Sequence, residues 1–205
     1  MKTRNRTLSP KAELMVKYLA GRLPTVATMP EFVELIGWRA FLIVEENSGQ
    51  RGFCIWRGGT VAVDVSTLRH RNANSVYTKV YGKSDISPVG VLCHELGHLF
   101  SYQLQRRERE FRQEWDKIHA SRRRTGITSY ARDAGPEEDL AESHRLFLLN
   151  HSLLRDLSPD RHAYLVEGYS RLMGGKVWRP EEHGTPVQAA RAERMLMSKV
   201  QDCTH

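Results

Sequence analysis

The stretch Cys93-His94-Glu95-Leu96-Gly97-His98-Leu99-Phe100 narrows what this chain can fold into more than any other. Its inner pattern is His-Glu-x-x-His. On a helix, residues four apart share one face, one turn above the other. His94 and His98 can then aim both imidazoles at a single Zn²⁺, and Glu95, on the turn between them, can reach a water at the ion. Those are the mechanics of the zinc-hydrolase motif. The same spacing also fits a core helix with two hydrogen-bonded histidines and a solvent-facing Glu, so the surroundings have to decide.

The surroundings favour a rigid helix. Ser87-Pro88 predicts its start, with Ser as N-cap and Pro at the first helical position. Val91, Leu92, Leu96, Leu99 and Phe100 follow at helical spacing. Gly97 lowers helix propensity, and its presence makes sense where another backbone passes close by.

Upstream, Ser9-Pro10 repeats the cap-plus-proline start, and Leu14, Met15, Tyr18 and Leu19 make an apolar stripe that Gly21 ends. Met29-Pro30 opens a short helix through Phe32, Val33, Leu35 and Ile36, stopped at Gly37. The period then becomes extended. Strands are predicted over Arg39–Glu46, Gly52–Arg57 and Thr60–Leu68, punctuated by Asn47-Ser48-Gly49 and Gly58-Gly59, with a weaker edge strand at Val76–Tyr81. The expected fold class is α+β and zincin-like. A small, mostly antiparallel sheet packs on the His-Glu-x-x-His helix, and a helical C-terminal half follows. An edge strand of such a sheet can border the cleft and pair with an extended peptide.

Downstream, Leu104, Phe111, Trp115 and Ile118 keep a helical stripe beneath many charges. A loop carrying Tyr130 is expected from Thr125 to Pro136. Pro136, with Glu137, Glu138 and Asp139, predicts a helix to about Asn150. Ser158-Pro159 starts another, ended by Gly174-Gly175, and Thr185-Pro186 starts the last, reaching about Val200.

A catalytic zinc takes three protein ligands and keeps one position open. The third-ligand candidates are Glu137, Glu138, Glu142, His144 and His151. An acidic first turn that complements the helix dipole would also account for Glu137, Glu138 and Asp139, though less well for Glu142.

Ser129-Tyr130-Ala131, then Glu138-Asp139-Leu140-Ala141-Glu142, resembles the segment after the zinc helix in the gluzincin-like catalytic domains of anthrax lethal factor and the Pro-Pro endopeptidases. It is also similar to small phage-encoded zincin-type proteins. The resemblance covers roughly residues 87–150. It implies Glu138 as the third zinc ligand, Glu142 as the carboxylate behind a ligating histidine, and Tyr130 as a donor to the oxyanion. One departure stands out: this chain has one extra residue between Tyr130 and Glu138, so counting from the tyrosine alone would select Glu137. Glu138 is preferred because it shares a helix face with Glu142, while Glu137 sits beside Pro136.

The resulting expectation is a zinc metalloendopeptidase in which His94, His98 and Glu138 hold the metal, Glu95 is the general base and Tyr130 assists, acting on a protein or peptide substrate. The whole of 205 residues makes one domain with a real core, residues 1–8 being a basic tail. The chain carries a net charge of +7. That charge fits an acidic partner or nucleic acid, and a second expectation is a binding protein on the same scaffold. It would use Arg106, Arg107, Arg109, Arg112 and Arg122 to Arg124 as phosphate contacts. No apolar run suits a membrane span, and Met1–Pro10 has no apolar stretch behind it to make a secretory signal. Three cysteines, Cys54, Cys93 and Cys203, make no disulfide framework. A cytoplasmic protein is expected, with delivery to another cell or association with a phage particle left open.

Overall fold

The computed structural model describes residues 8–45, 49–71, 84–122, 127–176 and 189–201. The elements are α1 (Pro10–Ala20), α2 (Pro30–Leu35), β1 (Ala40–Val44), β2 (Gly52–Ile55), β3 (Thr60–Asp64), α3 (Pro88–Arg107), α4 (Arg109–Arg122), α5 (Ser129–Ala134), α6 (Pro136–Leu157), α7 (Pro159–Leu172), α8 (Ala189–Lys199) and β4 (Val200–Gln201). The class is α+β, mostly helical, with one small mixed sheet.

The helix starts form by the local chemistry of their caps. Ser9 Oγ accepts from Ala12 N at 3.1 Å and Ser87 Oγ from Gly90 N at 3.2 Å, each followed by proline at the first helical position. Leu14, expected in the stripe of α1, is exposed, and Val16 is buried instead. α6 runs past its expected end, but Asn150 there has φ −159° and breaks the helical geometry. The predicted strand at Val76–Tyr81 and the start at Thr185-Pro186 lie outside the described residues.

The sheet corrects the expected topology. Its order is β2-β3-β1-β4, with β1 parallel to both β3 and β4; only β2 and β3 pair antiparallel. The expectation assumed that strands close in sequence pair with each other. Instead β3 inserts between β1 and β2. The cause is burial: Ala40–Val44 is an uninterrupted apolar run, the mark of an inner parallel strand, whereas no residue of β2 is fully buried and β2 takes the edge. The Gly58-Gly59 signal does mark the β2–β3 connection, with Gly59 at φ +64°.

α3 packs against β2 and β3 and against α6. From Ser87 to Ser101 every residue is buried except His94 and His98, which lie on one face. A helix enclosed nearly all round holds those two side chains rigidly. At Gly97 the backbone of α6 passes close by: a Cβ there would stand 2.8 Å from Ala141 Cα and 3.1 Å from Ala141 O. Backbone cannot yield as a side chain can. Gly97→Ala is therefore expected to force α3 and α6 apart and to destabilise the fold by about 1–3 kcal/mol, read as a lower denaturation midpoint. An unchanged midpoint would mean that the helices do not meet there.

Candidate metal centre

The close approach at Gly97 and Ala141 sets Glu138 and Glu142, one turn apart on α6, opposite His94 and His98 on α3. The imidazole centroids of His94 and His98 are 4.9 Å apart. Glu138 Oε2 lies 3.0 Å from His94 Nε2 and 3.5 Å from His98 Nε2. One donor atom from each of the three lies within 4.8 Å of the others, so His94, His98 and Glu138 form a group that could hold a metal ion.

Of the four acids at the start of α6, Glu138 and Glu142 share His94, on its two ring nitrogens, and the other two have partners of their own. Glu137 accepts from Arg112 Nη2 and from Ser101 Oγ (2.8 Å), which turns it away from the imidazoles. Asp139 is fully buried against Arg161 Nη2 (2.8 Å) and His119 Nδ1 (3.0 Å). Glu142 faces His94 Nδ1 at 2.9 Å. Its oxygens also accept from Arg145 Nε (3.1 Å), Arg145 Nη2 (2.9 Å) and Ser84 Oγ (2.8 Å).

This network fixes the proton inventory. Glu142 is buried, which by itself would raise its pKa, but Arg145 and His94 outweigh burial and hold it below the ordinary carboxylate range. Glu138 is likewise held low, because His94 and His98 overcome its own desolvation. Burial pulls the His94 imidazole down, yet Glu138 and Glu142 push it up to about 9. With Glu142 a permanent acceptor, Nδ1 of His94 keeps its hydrogen and Nε2 is the atom turned to Glu138. A cation at the group would replace the second imidazole proton.

Glu95 is buried beside the two histidines, and that burial raises its carboxyl above the usual range. Gly52 of β2 makes room for it: a Cβ at that position would stand 3.0 Å from Glu95 Oε1. Tyr130 lies on α5 rather than in a loop. Thr128 Oγ1 caps that helix by accepting from Ala131 N at 2.9 Å. Its ring is 6.0 Å from that of His94. Desolvation and the nearby Glu138 push the phenol up to about 12, so it keeps its proton. His94, Glu95, His98, Tyr130 and Glu138 open onto one cleft of about 500 Å³ that β2 borders.

Two expected candidates go elsewhere. His144, the alternative ligand, is buried on another face of α6, with Nδ1 3.2 Å from the Cys93 carbonyl and Nε2 2.5 Å from the Tyr169 hydroxyl. Arg112, offered as a phosphate contact, is buried between Ser101, Asp116 and Glu137 and is not available to one. Arg123 and Arg124 lie outside the described residues. His151 lies near His162, with ring centroids 6.2 Å apart.

His144 carries a pH signature. Burial, reinforced by His94 and His98, depresses it to about 3 despite the Cys93 carbonyl. The fold accepts only the neutral ring, so its contribution is complete above about pH 6.5. It falls as pH drops toward 3, by up to about 1.4 kcal/mol per unit. His94 in the metal-free protein has the opposite sign: its contribution is complete below about pH 6.5 and is lost as pH rises through about 9. Between pH 6 and 5 the loss therefore reports His144 together with His162, which burial also lowers. Denaturation midpoints across that window are expected to fall less steeply for His144→Gln than for wild type. Equal slopes would place the titration elsewhere.

The sequence did not single out Arg145, although an arginine three residues after Glu142, on the helix face that also carries Glu138, is a visible signal. Ser84, Trp56 and Tyr102 carried none. Among the described residues no helix is long and apolar enough to cross a membrane. Comparison of the chain with protein-family models, with curated proteins and with solved structures gave no match in any of the three.

Proposed function

We propose that the protein is a zinc-dependent metallopeptidase of zincin type. The observation that carries this reading is the donor spacing. Donors at about 2.0–2.1 Å around a tetrahedral zinc stand roughly 3.3 Å apart. The distances from Glu138 Oε2 to the two imidazole nitrogens, 3.0 and 3.5 Å, bracket that value. Two nitrogens and one carboxylate oxygen suit zinc, and the group opens onto the cleft. A structural zinc site closes with four protein ligands; here three are assembled among the described residues.

Zinc, when bound, would acidify a water and polarise the carbonyl to be attacked. Glu95, beside the histidines and short of solvent, takes the proton of the attacking water and returns it to the departing amine. Tyr130 keeps its proton and donates a hydrogen bond to the developing oxyanion. Glu142, clamped by Arg145, orients His94 through Nδ1. β2 offers an edge for an extended peptide, since no other strand among the described residues covers its outer side.

Metal analysis and a peptide-library cleavage screen test the reading together. One zinc per chain is expected, with cleavage that a chelator stops and added zinc restores. Zinc-loaded protein that cleaves no peptide in a broad library would overturn the peptidase assignment.

A further inference from the structure

We infer that the cleft selects an extended peptide bearing a bulky aromatic or aliphatic side chain, which seats against Trp56 and Tyr102 on one side of the scissile bond. The inference rests on the peptidase reading, and it names the substrate class. Trp56 is 56% exposed and lines the cleft. Folding ordinarily covers such a side chain, and an aromatic ring left open in the wall of a cleft marks a recognition surface. Trp56 follows the edge strand β2, and its ring lies against that of Tyr102, centroid to centroid 6.1 Å, with the planes inclined at 50°. Two rings so inclined leave an open corner. Arg106 sits over the Tyr102 ring at 5.7 Å, and Phe53 and Cys54 continue the wall.

This corner belongs to the same cleft as His94, Glu95 and His98. A second hollow adjoins His94 and Glu95, and its lining is more polar, with Arg51, Ser84, Asp85 and Glu142. Phe53, Trp56 and Tyr102 belong to the first hollow and not to the second, so a large apolar side chain finds the greater aromatic contact there. Its position along the peptide follows from the helix. Tyr102 is four residues beyond His98, about 6 Å further along α3. An extended peptide rises about 3.4 Å per residue. The recognised side chain therefore lies roughly one to two residues from the bond at the metal group.

The test uses the zinc-loaded Glu95→Gln protein, so that binding is read apart from turnover. Blocked octapeptides of alanine and glycine, with Phe, Leu, Ala or Asp placed at each position in turn, are titrated by calorimetry. Phe or Leu at one position is expected to bind roughly ten- to a hundredfold tighter than Ala there, as burial of one such side chain implies. Trp56→Ala and, separately, Tyr102→Ala are expected to remove most of that preference while zinc content and the circular dichroism spectrum stay the same. Loss of affinity for all peptides alike, a preference that survives both variants, or no peptide binding at all would overturn the inference. Binding with the expected preference, but no cleavage by wild type of the preferred peptide, would overturn the peptidase reading and leave the subsite standing.

Discussion

Glu95→Gln is expected to keep one zinc per chain and to lower peptide hydrolysis by about 10²–10⁴-fold, the usual contribution of a general base. Glutamine preserves the volume and the hydrogen-bonding shape of the side chain and removes only its basicity. No neighbouring carboxylate can take over. Glu138 is committed to the imidazoles, Glu142 is held by Arg145 and Ser84, and Glu137 is turned to Arg112. Hydrolysis and zinc content should be measured on the same preparation. A variant as fast as wild type would remove Glu95 from the chemistry, and a variant that had lost its zinc would show that the residue serves the metal instead.

The neighbouring pair Glu137 and Glu138 should behave in opposite ways, although they are adjacent in one helical turn. Glu138→Ala removes the oxygen that lies 3.0 and 3.5 Å from the two imidazoles. Its zinc affinity is expected to fall by more than the roughly 10–100-fold typical of losing an outer partner, with activity lost alongside. Glu137→Ala leaves the donor group intact and takes one carboxylate from the buried guanidinium of Arg112, which keeps Ser101 and Asp116. Its expected signature is reduced stability with zinc retained. Competition with a chromophoric chelator reads the first effect and thermal denaturation the second. If Glu137→Ala were the variant that lost zinc, the register drawn between α3 and α6 would be wrong by one residue.

The parts of this protein that local chemistry decides were legible in the sequence. Ser87-Pro88 and Ser9-Pro10 start helices because a hydroxyl and a proline act within one turn. Gly97 announced a close approach, and the approach is α6 at Ala141. The i, i+4 spacing of Glu138 and Glu142 put both on the face that meets the histidines. The parts that depend on distant partners were not legible. The parallel pairing of β1 with β3 follows from which strands are buried on both faces, not from their order. Ser84 reaches Glu142 across 58 residues, whereas Arg145 pairs with Glu142 only three residues away and was open to detection. The helix carrying Tyr130 was open to detection, because Thr128 is a capping residue, but the small polar residues around it gave the stronger impression of a loop.

The strand order has a consequence for how the chain reaches this state. Phe41 pairs with Val200, and Leu42 with Gln201. That flank of the apolar run Ala40–Val44 cannot be covered until the last helix has docked, long after β1 itself has formed. During that interval an incomplete chain offers bare strand hydrogen-bonding groups beside apolar side chains, which other chains can match. Contacts so far apart in sequence also slow folding. Fragments that stop short of Val200 should therefore clump rather than merely unfold.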